Sequence, residues 1–407
     1  MMKKITALLL AMVMVFALCA CGNNNDDKKT DDGNKSASDI KVGFIFLHDE
    51  NSTYDLNFMN AAEAACKNLG VEYVFKKNIS EDQKCYDAAT ELVDEGCNII
   101  FADSFGHESY IIEAAKEFTD VQFCHSTGTL AHTENLSNYH NAFASIYEGR
   151  YLAGIAAGLK LNEMIANGDF TADEAKMGYV GAFTYAEVIS GYTSFFLGAR
   201  SVCPSVTMDV TFTGSWYDET AEKEAANTLI KNGCKLISQH ADSMGAPTAC
   251  EFAGVPNVSY NGSTVKACPN TFIVSSRIDW TPYYEYAIKA VMNGETIDTD
   301  WTGTLATGSV VLTDVNEKAA AAGTAEAIAD AKAKLEDGSL KVFDITTFTV
   351  GGKQLDSYMA DVDTDKDYTA DTEVVKDGAF LESTYRSAPY FDVQIDGITL
   401  LDTNFGS

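Results

Sequence analysis

The segment Ala88-Ala-Thr-Glu-Leu-Val-Asp-Glu-Gly-Cys-Asn-Ile-Ile100 recurs without a gap as Ala225-Ala-Asn-Thr-Leu-Ile-Lys-Asn-Gly-Cys-Lys-Leu-Ile237. The alanines, the first leucine, the Gly-Cys turn and the final isoleucine coincide. Each copy reads as a helix stopped at glycine, where a left-handed residue is tolerated, followed by a buried strand. Around the first copy, strand and helix patterns alternate: strand 41–47, helix 55–69, strand 71–75, helix 82–95, strand 98–102, helix 108–118, strand 121–124. A long amphipathic helix over 145–161 follows. The alternation then restarts with strand 176–183, helix 187–203, strand 206–213, helix 220–232 and strand 235–239. Such alternation predicts parallel sheets with crossover helices, and the restart predicts two similar α/β lobes rather than one long sheet.

The 407 residues are too many for one ordinary core. The first twenty are read as a signal segment. Lys3 and Lys4 precede an apolar run, Ile5 to Leu18, that is too short to span a bilayer. It ends in Leu18-Cys19-Ala20-Cys21-Gly22, the pattern of a bacterial lipoprotein signal, with Cys21 as the lipidated residue. Residues 21–39 are polar, without apolar periodicity, and read as a flexible tether. The chain beyond is expected to sit outside the cell, lipid-anchored to the membrane.

Charge excludes some partners. The net charge is −30, and the arginines are Arg150, Arg200, Arg277 and Arg386. A strongly acidic surface repels nucleic acid. Few arginines disfavour a multiply phosphorylated ligand. Beyond Cys21 stand Cys66, Cys85, Cys97, Cys124, Cys203, Cys234, Cys250 and Cys268, none in a CxxC pair. They are read as free buried thiols behaving as small hydrophobes.

In open α/β sheets, ligands bind outside the carboxyl ends of the strands. Two lobes facing each other at those ends make a cleft that closes by hinge motion. The loops to read are therefore His48-Asp49 to Asn57, Asp103-Ser104-Phe105-Gly106-His107, Thr184 to Glu187, Gly214-Ser-Trp216-Tyr217-Asp218, His240-Ala-Asp242-Ser243, Tyr260-Asn261 and Arg277-Ile-Asp-Trp280. They place aromatic rings on both lobes, with Asp, Asn and Ser beside them. A flat heteroaromatic ligand sandwiched between rings gains about 1–3 kcal/mol per stacked base. The same composition suits a sugar.

Several of these segments, in their order and spacing, resemble the basic membrane protein family of transporter-associated binding lipoproteins, which includes purine nucleoside receptors. They are Asp103-Ser-Phe-Gly106, Glu148-Gly-Arg-Tyr-Leu-Ala-Gly154, Glu187-Val-Ile189 with Phe196-Leu-Gly-Ala-Arg200, Gly214 to Asp218, Gln239 to Ser243, and Trp280-Thr-Pro-Tyr-Tyr284. The resemblance implies a type I periplasmic-binding-protein fold: two Rossmann-like lobes with parallel sheets, joined by three crossovers. Lobe one takes 40–158 plus about 273–305. Lobe two takes 159–272 plus about 306–346. A β-rich C-terminal extension takes 347–407. The resemblance also implies a monomeric receptor that passes a purine nucleoside or nucleobase to the permease of an ABC importer. Asp49 matches the family's acidic residue after the first strand. Tyr54 and Trp216 take the places of its two stacking aromatics. Asn261 replaces an aspartate on the ribose, and His240-Ala-Asp-Ser243 replaces a glycine-rich turn. The expected ligand contacts are Asp49, Tyr54, Ser104, Phe105, Trp216, His240, Asp242, Asn261 and Trp280.

Rival classes are weaker. The six histidines show no HExxH or comparable ligand spacing, and there is no GxSxG, P-loop or GxGxxG. The expectation is no enzyme, no cofactor and no metal. Asp361-Val-Asp-Thr-Asp-Lys-Asp367 alternates like a calcium loop, but Lys366 stands where glycine should be and Thr372 where the bidentate Glu should be, so it reads as a solvated acidic loop.

Overall fold

A computed structural model describes residues 36–403. The signal segment, Cys21 and the tether up to residue 35 lie outside the described residues. At the tether's end, Ala37–Asp39 forms one 3-10 turn.

The chain runs β1 (Lys41–Ile45), α1 (Thr53–Leu69), β2 (Glu72–Lys76), α2 (Gln83–Asp94), β3 (Ile99–Ala102), α3 (Glu108–Glu117), β4 (Gln122–Ser126), α4 (Ala131–Glu134) and β5 (Tyr139–Ala144). It crosses through α5 (Ile146–Asn167) and repeats the pattern as β6 (Lys176–Gly181), α6 (Ala186–Val202), β7 (Thr207–Phe212), α7 (Glu219–Lys231), β8 (Leu236–His240), α8 (Gly245–Ala253), β9 (Asn257–Tyr260) and β10 (Phe272–Ile278). Then come α9 (Thr281–Asn293), β11 (Asp300–Gly303), β12 (Val310–Leu312) and α10 (Thr324–Glu336).

Two sheets result. The first has the order β2-β1-β3-β4-β5-β11 and the second β7-β6-β8-β9-β10-β12. Within these orders neighbouring strands pair in parallel, except β12, which is antiparallel to β10. The two copies of the repeated segment occupy equivalent places, α2 into β3 and α7 into β8. Gly96 (φ 86°) and Gly233 (φ 92°) make the turns between them, in a backbone region that side chains rarely tolerate.

One boundary differs from the sequence expectation. Residues 272–278 form β10 in the second sheet, not the first. Pairing with β9 completes a five-strand order that matches the first lobe, so the second crossing falls at Asp279-Trp280. The three crossings are tied to each other: Ser145 N–H donates to Gly303 C=O (2.8 Å) and Asp279 N–H to Ser309 C=O (2.6 Å).

One large apolar cluster runs from Ile40 to Ile398 through both lobes, while two smaller ones lie under α2–α3 and α7–α8. The C-terminal segment belongs to the large cluster. Its ribbons are two residues per strand, Met359–Ala360 with Thr372–Glu373 and Val375–Lys376 with Ala379–Phe380. A last strand, Ile398–Leu400, pairs in parallel with β7. Phe391 stacks on Phe343 with ring centroids 4.3 Å apart. Arg200 of α6 donates to the carbonyls of Thr347 (2.6 Å) and Asp396 (3.3 Å). In the acidic run, Asp363 is ion-paired with Arg386. The eight cysteines from Cys66 to Cys268 are all buried and unpaired. No described helix is long and apolar enough to cross a membrane.

Candidate functional site

The carboxyl ends of both sheets face one tight cavity of about 20 Å³, lined by Leu47, Tyr54, Ser104, Phe105 and Thr127 of lobe one and Glu187, Trp216, His240, Asp242 and Tyr260 of lobe two. The lobes are closed on each other around it. Thr53, at the first turn of α1, donates its N–H (3.0 Å) and its hydroxyl (3.1 Å) to the Asp242 carbonyl. Phe105 meets Tyr185 at 5.2 Å between centroids, and His48 meets Tyr217 at 5.4 Å.

On the lobe-one side, Tyr54 leans on Phe58 (4.7 Å) and donates its hydroxyl to the Asp103 carbonyl (2.6 Å), which fixes the ring. α1 begins at Thr53, two residues before the start expected from the periodicity. Ser52 is the cap and accepts from Asp55 N–H (3.1 Å), while the buried Asp55 carboxylate turns inward to accept from His48 N–H (2.8 Å). Ser104 donates its hydroxyl to Glu81 (2.6 Å). On the lobe-two side, Trp216 packs edge-on against Phe183 (5.0 Å).

The cavity is acidic. Burial, then the negative charge of Asp55, pushes the Asp103 carboxyl well above the usual carboxylate range. Burial, then Asp55, Glu222 and Glu187, does the same to Asp242. Burial, then the charge of Arg150, pushes His240 down to about 4, so its ring is neutral at pH 7. Neutral His240 donates from Nε2 to Glu187 (3.3 Å), an acceptor, and accepts at Nδ1 from the Tyr179 hydroxyl (3.4 Å). Behind this wall the buried Arg150 lies 3.4 Å from the centre of the Tyr260 ring and donates to the Gln239 carbonyl. Among the described residues its Nε and Nη2 have no acceptor.

Of the expected contacts, Tyr54, Ser104, Phe105, Trp216, His240 and Asp242 meet at the cavity. Three do not. Asp49 stays on the loop outside the lining, where its carboxylate accepts from the N–H and amide of Asn51. Asn261 lines a separate groove with Asn57 and Arg277, and its amide reaches Asp242 from behind at 3.4 Å. Trp280 is core: only 1% exposed, it stacks on Phe58 (4.6 Å) and packs against Phe143, because a large indole gains more from burial than a loop position suggests.

Leu47, Thr127, Glu187 and Tyr260 line the cavity but were not singled out. Glu187 and Tyr260 follow strand ends, so the strand-end rule contained them. Thr127 was hidden because its signal is conformational. It is β-branched yet holds φ 72°, an outlier, and its buried hydroxyl has no partner among the described residues. Among those residues no group of three or more His, Cys, Asp or Glu side chains is arranged to hold a metal ion.

Known proteins resemble the chain in the same two-lobed pattern. Solved solute-binding proteins of ABC transporters from Aeropyrum pernix K1 (TM-score 0.63, 18% identity, 75% of this chain and 93% of that one) and Conexibacter woesei (TM-score 0.61, 20% identity, 74% and 98%) share the fold. A purine-binding protein of Brucella abortus is 33% identical over 260 residues, 63% of this chain and 69% of the relative. A putative ABC transporter glucose-binding protein of Haloferax volcanii is 31% identical over 236 residues, 58% of this chain and 56% of the relative. Residues 46–342 match the family model described as ABC transporter substrate-binding protein PnrA-like. With that span covering most of the chain and both lobes of the closed cleft, the protein belongs to the Bmp family of PnrA-like ABC transporter substrate-binding proteins.

Proposed function

We propose that the cleft captures a purine nucleoside or nucleobase and presents it to the permease of an ABC importer, with the receptor a monomer held to the membrane by a lipid on Cys21. The observation that carries this reading is that Tyr54 and Trp216, from opposite lobes, line the same closed cavity. Rings on two sides suit a flat heteroaromatic ligand, and the polar groups between them suit its edges. The name of the Brucella relative supports the purine class. With no lysine or arginine among the lining residues, a phosphorylated ligand has no counter-charge.

Calorimetric titration with nucleosides, nucleobases and simple sugars tests the proposal. Purines are expected to bind, and Trp216→Ala to lower their affinity more than tenfold, about the loss of one stacking face. The thermal midpoint of the unliganded variant should stay near that of the parent, since Trp216 is only partly buried. Equal affinity in variant and parent would count against the stacking role. Binding of a sugar without any purine would favour the class named for the Haloferax relative.

A further inference from the structure

Glu187 opens α6 and lies in its first turn, where the helix dipole favours a negative side chain. It stands two residues after Tyr185, whose ring touches both Phe105 across the cleft and Trp216 on its own lobe. Its side chain lines the same cavity as Tyr54, Phe105 and Trp216. Neutral His240 holds one of its oxygens, and His240 is itself held by Tyr179. A carboxylate only accepts hydrogen bonds. Asp242 is a poorer discriminator. It already takes the Asn261 amide, and burial among other acids favours its protonated form, which donates as well as accepts.

Resting on the purine reading, we infer that Glu187 selects 6-amino-purines over 6-oxo-purines, taking the hydrogens of the exocyclic amine. A ring carbonyl at the same place sets an acceptor against an acceptor in a closed site. Sites built to bond an N–H reject analogues that lack it far more strongly than apolar pockets reject a missing methylene. His240 is then a positioning residue, fixing the carboxylate without touching the ligand's amine.

The experiment titrates adenine, hypoxanthine, adenosine and inosine into the parent and into Glu187→Gln. In the parent, adenine and adenosine are expected to bind at least tenfold more tightly than hypoxanthine and inosine, each compared with its own 6-oxo partner. In the variant, whose amide can donate to a carbonyl, the ratio should fall below threefold. Equal binding of the two classes by the parent overturns the inference while leaving the purine reading intact, and it does so whether or not the variant folds. An undiminished preference in a folded variant overturns it as well. If none of the four binds the parent, the purine reading fails and takes this inference with it.

Discussion

Gly154→Ala is expected to destabilise the protein by about 3 kcal/mol or more, although it adds a single methyl group to a helix. The reason is the crossing of α5 and α6. A methyl carbon on Gly154 would collide with the main-chain carbonyl oxygen of Phe195, and one on Gly198 with that of Tyr151. Gly158 sits on the same seam, where a methyl would collide with the main-chain carbonyl oxygen of Ala199. These obstacles are backbone, so no rotamer change relieves them; the helices must separate. In an isolated helix, Gly to Ala would stabilise by up to about 1 kcal/mol, so propensity and packing oppose each other and packing wins. Because α5 carries the chain from the first sheet to the second, opening the seam also loosens the attachment of lobe two to the hinge. Urea unfolding at neutral pH checks this. Gly198→Ala should cost a similar amount, and the double variant less than the sum, since one separation relieves both clashes. Gly262→Ala is the control: a methyl there meets nothing within 4 Å, and the change should stay within about 0.5 kcal/mol. A cost for Gly154→Ala as small as the control's would refute the seam.

The same seam illustrates what a sequence discloses. Alternating strand and helix patterns, and a repeat spaced so that each copy ends a helix at Gly96 or Gly233, depend on local periodicity and turn chemistry, so the two lobes were readable. β10 was assigned to the wrong lobe because a buried parallel strand is apolar on both faces and carries no mark of the sheet it joins. The site was half legible for a similar reason. The rule that ligands sit past strand ends found Tyr54, Ser104, Phe105, Trp216, His240 and Asp242. It could not tell which side of a loop faces the cleft, so it also admitted Asp49, turned toward Asn51, and Trp280, drawn into the core beside Phe58. The strained Thr127 and the orphaned Arg150 donors arise only when distant segments close around them.

The pH dependence of stability should separate parent and Glu382→Gln by about 3 kcal/mol between pH 4.5 and pH 8. Glu382 comes from the C-terminal segment and is 1% exposed. It accepts from the hydroxyl of Ser190 in α6 (2.5 Å) and from Ser383. Burial pushes its carboxyl up to about 7 from an ordinary 4.5, and the negative charges of Glu148 and Glu187 add to the push while the serines oppose it. A carboxyl whose folded value is raised holds its proton in the folded state after the unfolded chain has released it. Its contribution to stability is complete below about pH 4.5 and is lost as pH rises through about 7. At roughly 1.4 kcal/mol per unit, a rise of this size is worth about 3 kcal/mol. Glutamine has the same shape and no proton to lose, so the parent's stability relative to the variant should fall with rising pH. Taking the difference cancels the titrations that are not coupled to Glu382, including those of His107 and His140, which burial pushes the opposite way to about 4. The loss falls on the contact between the C-terminal segment and the α6 turns just behind Glu187. Above neutrality the wall of the cleft is therefore held less firmly in the parent than in the variant. Denaturant midpoints for both proteins at pH 5, 6, 7 and 8 measure the effect, and parallel curves would mean that Glu382 is not titrating in the folded protein.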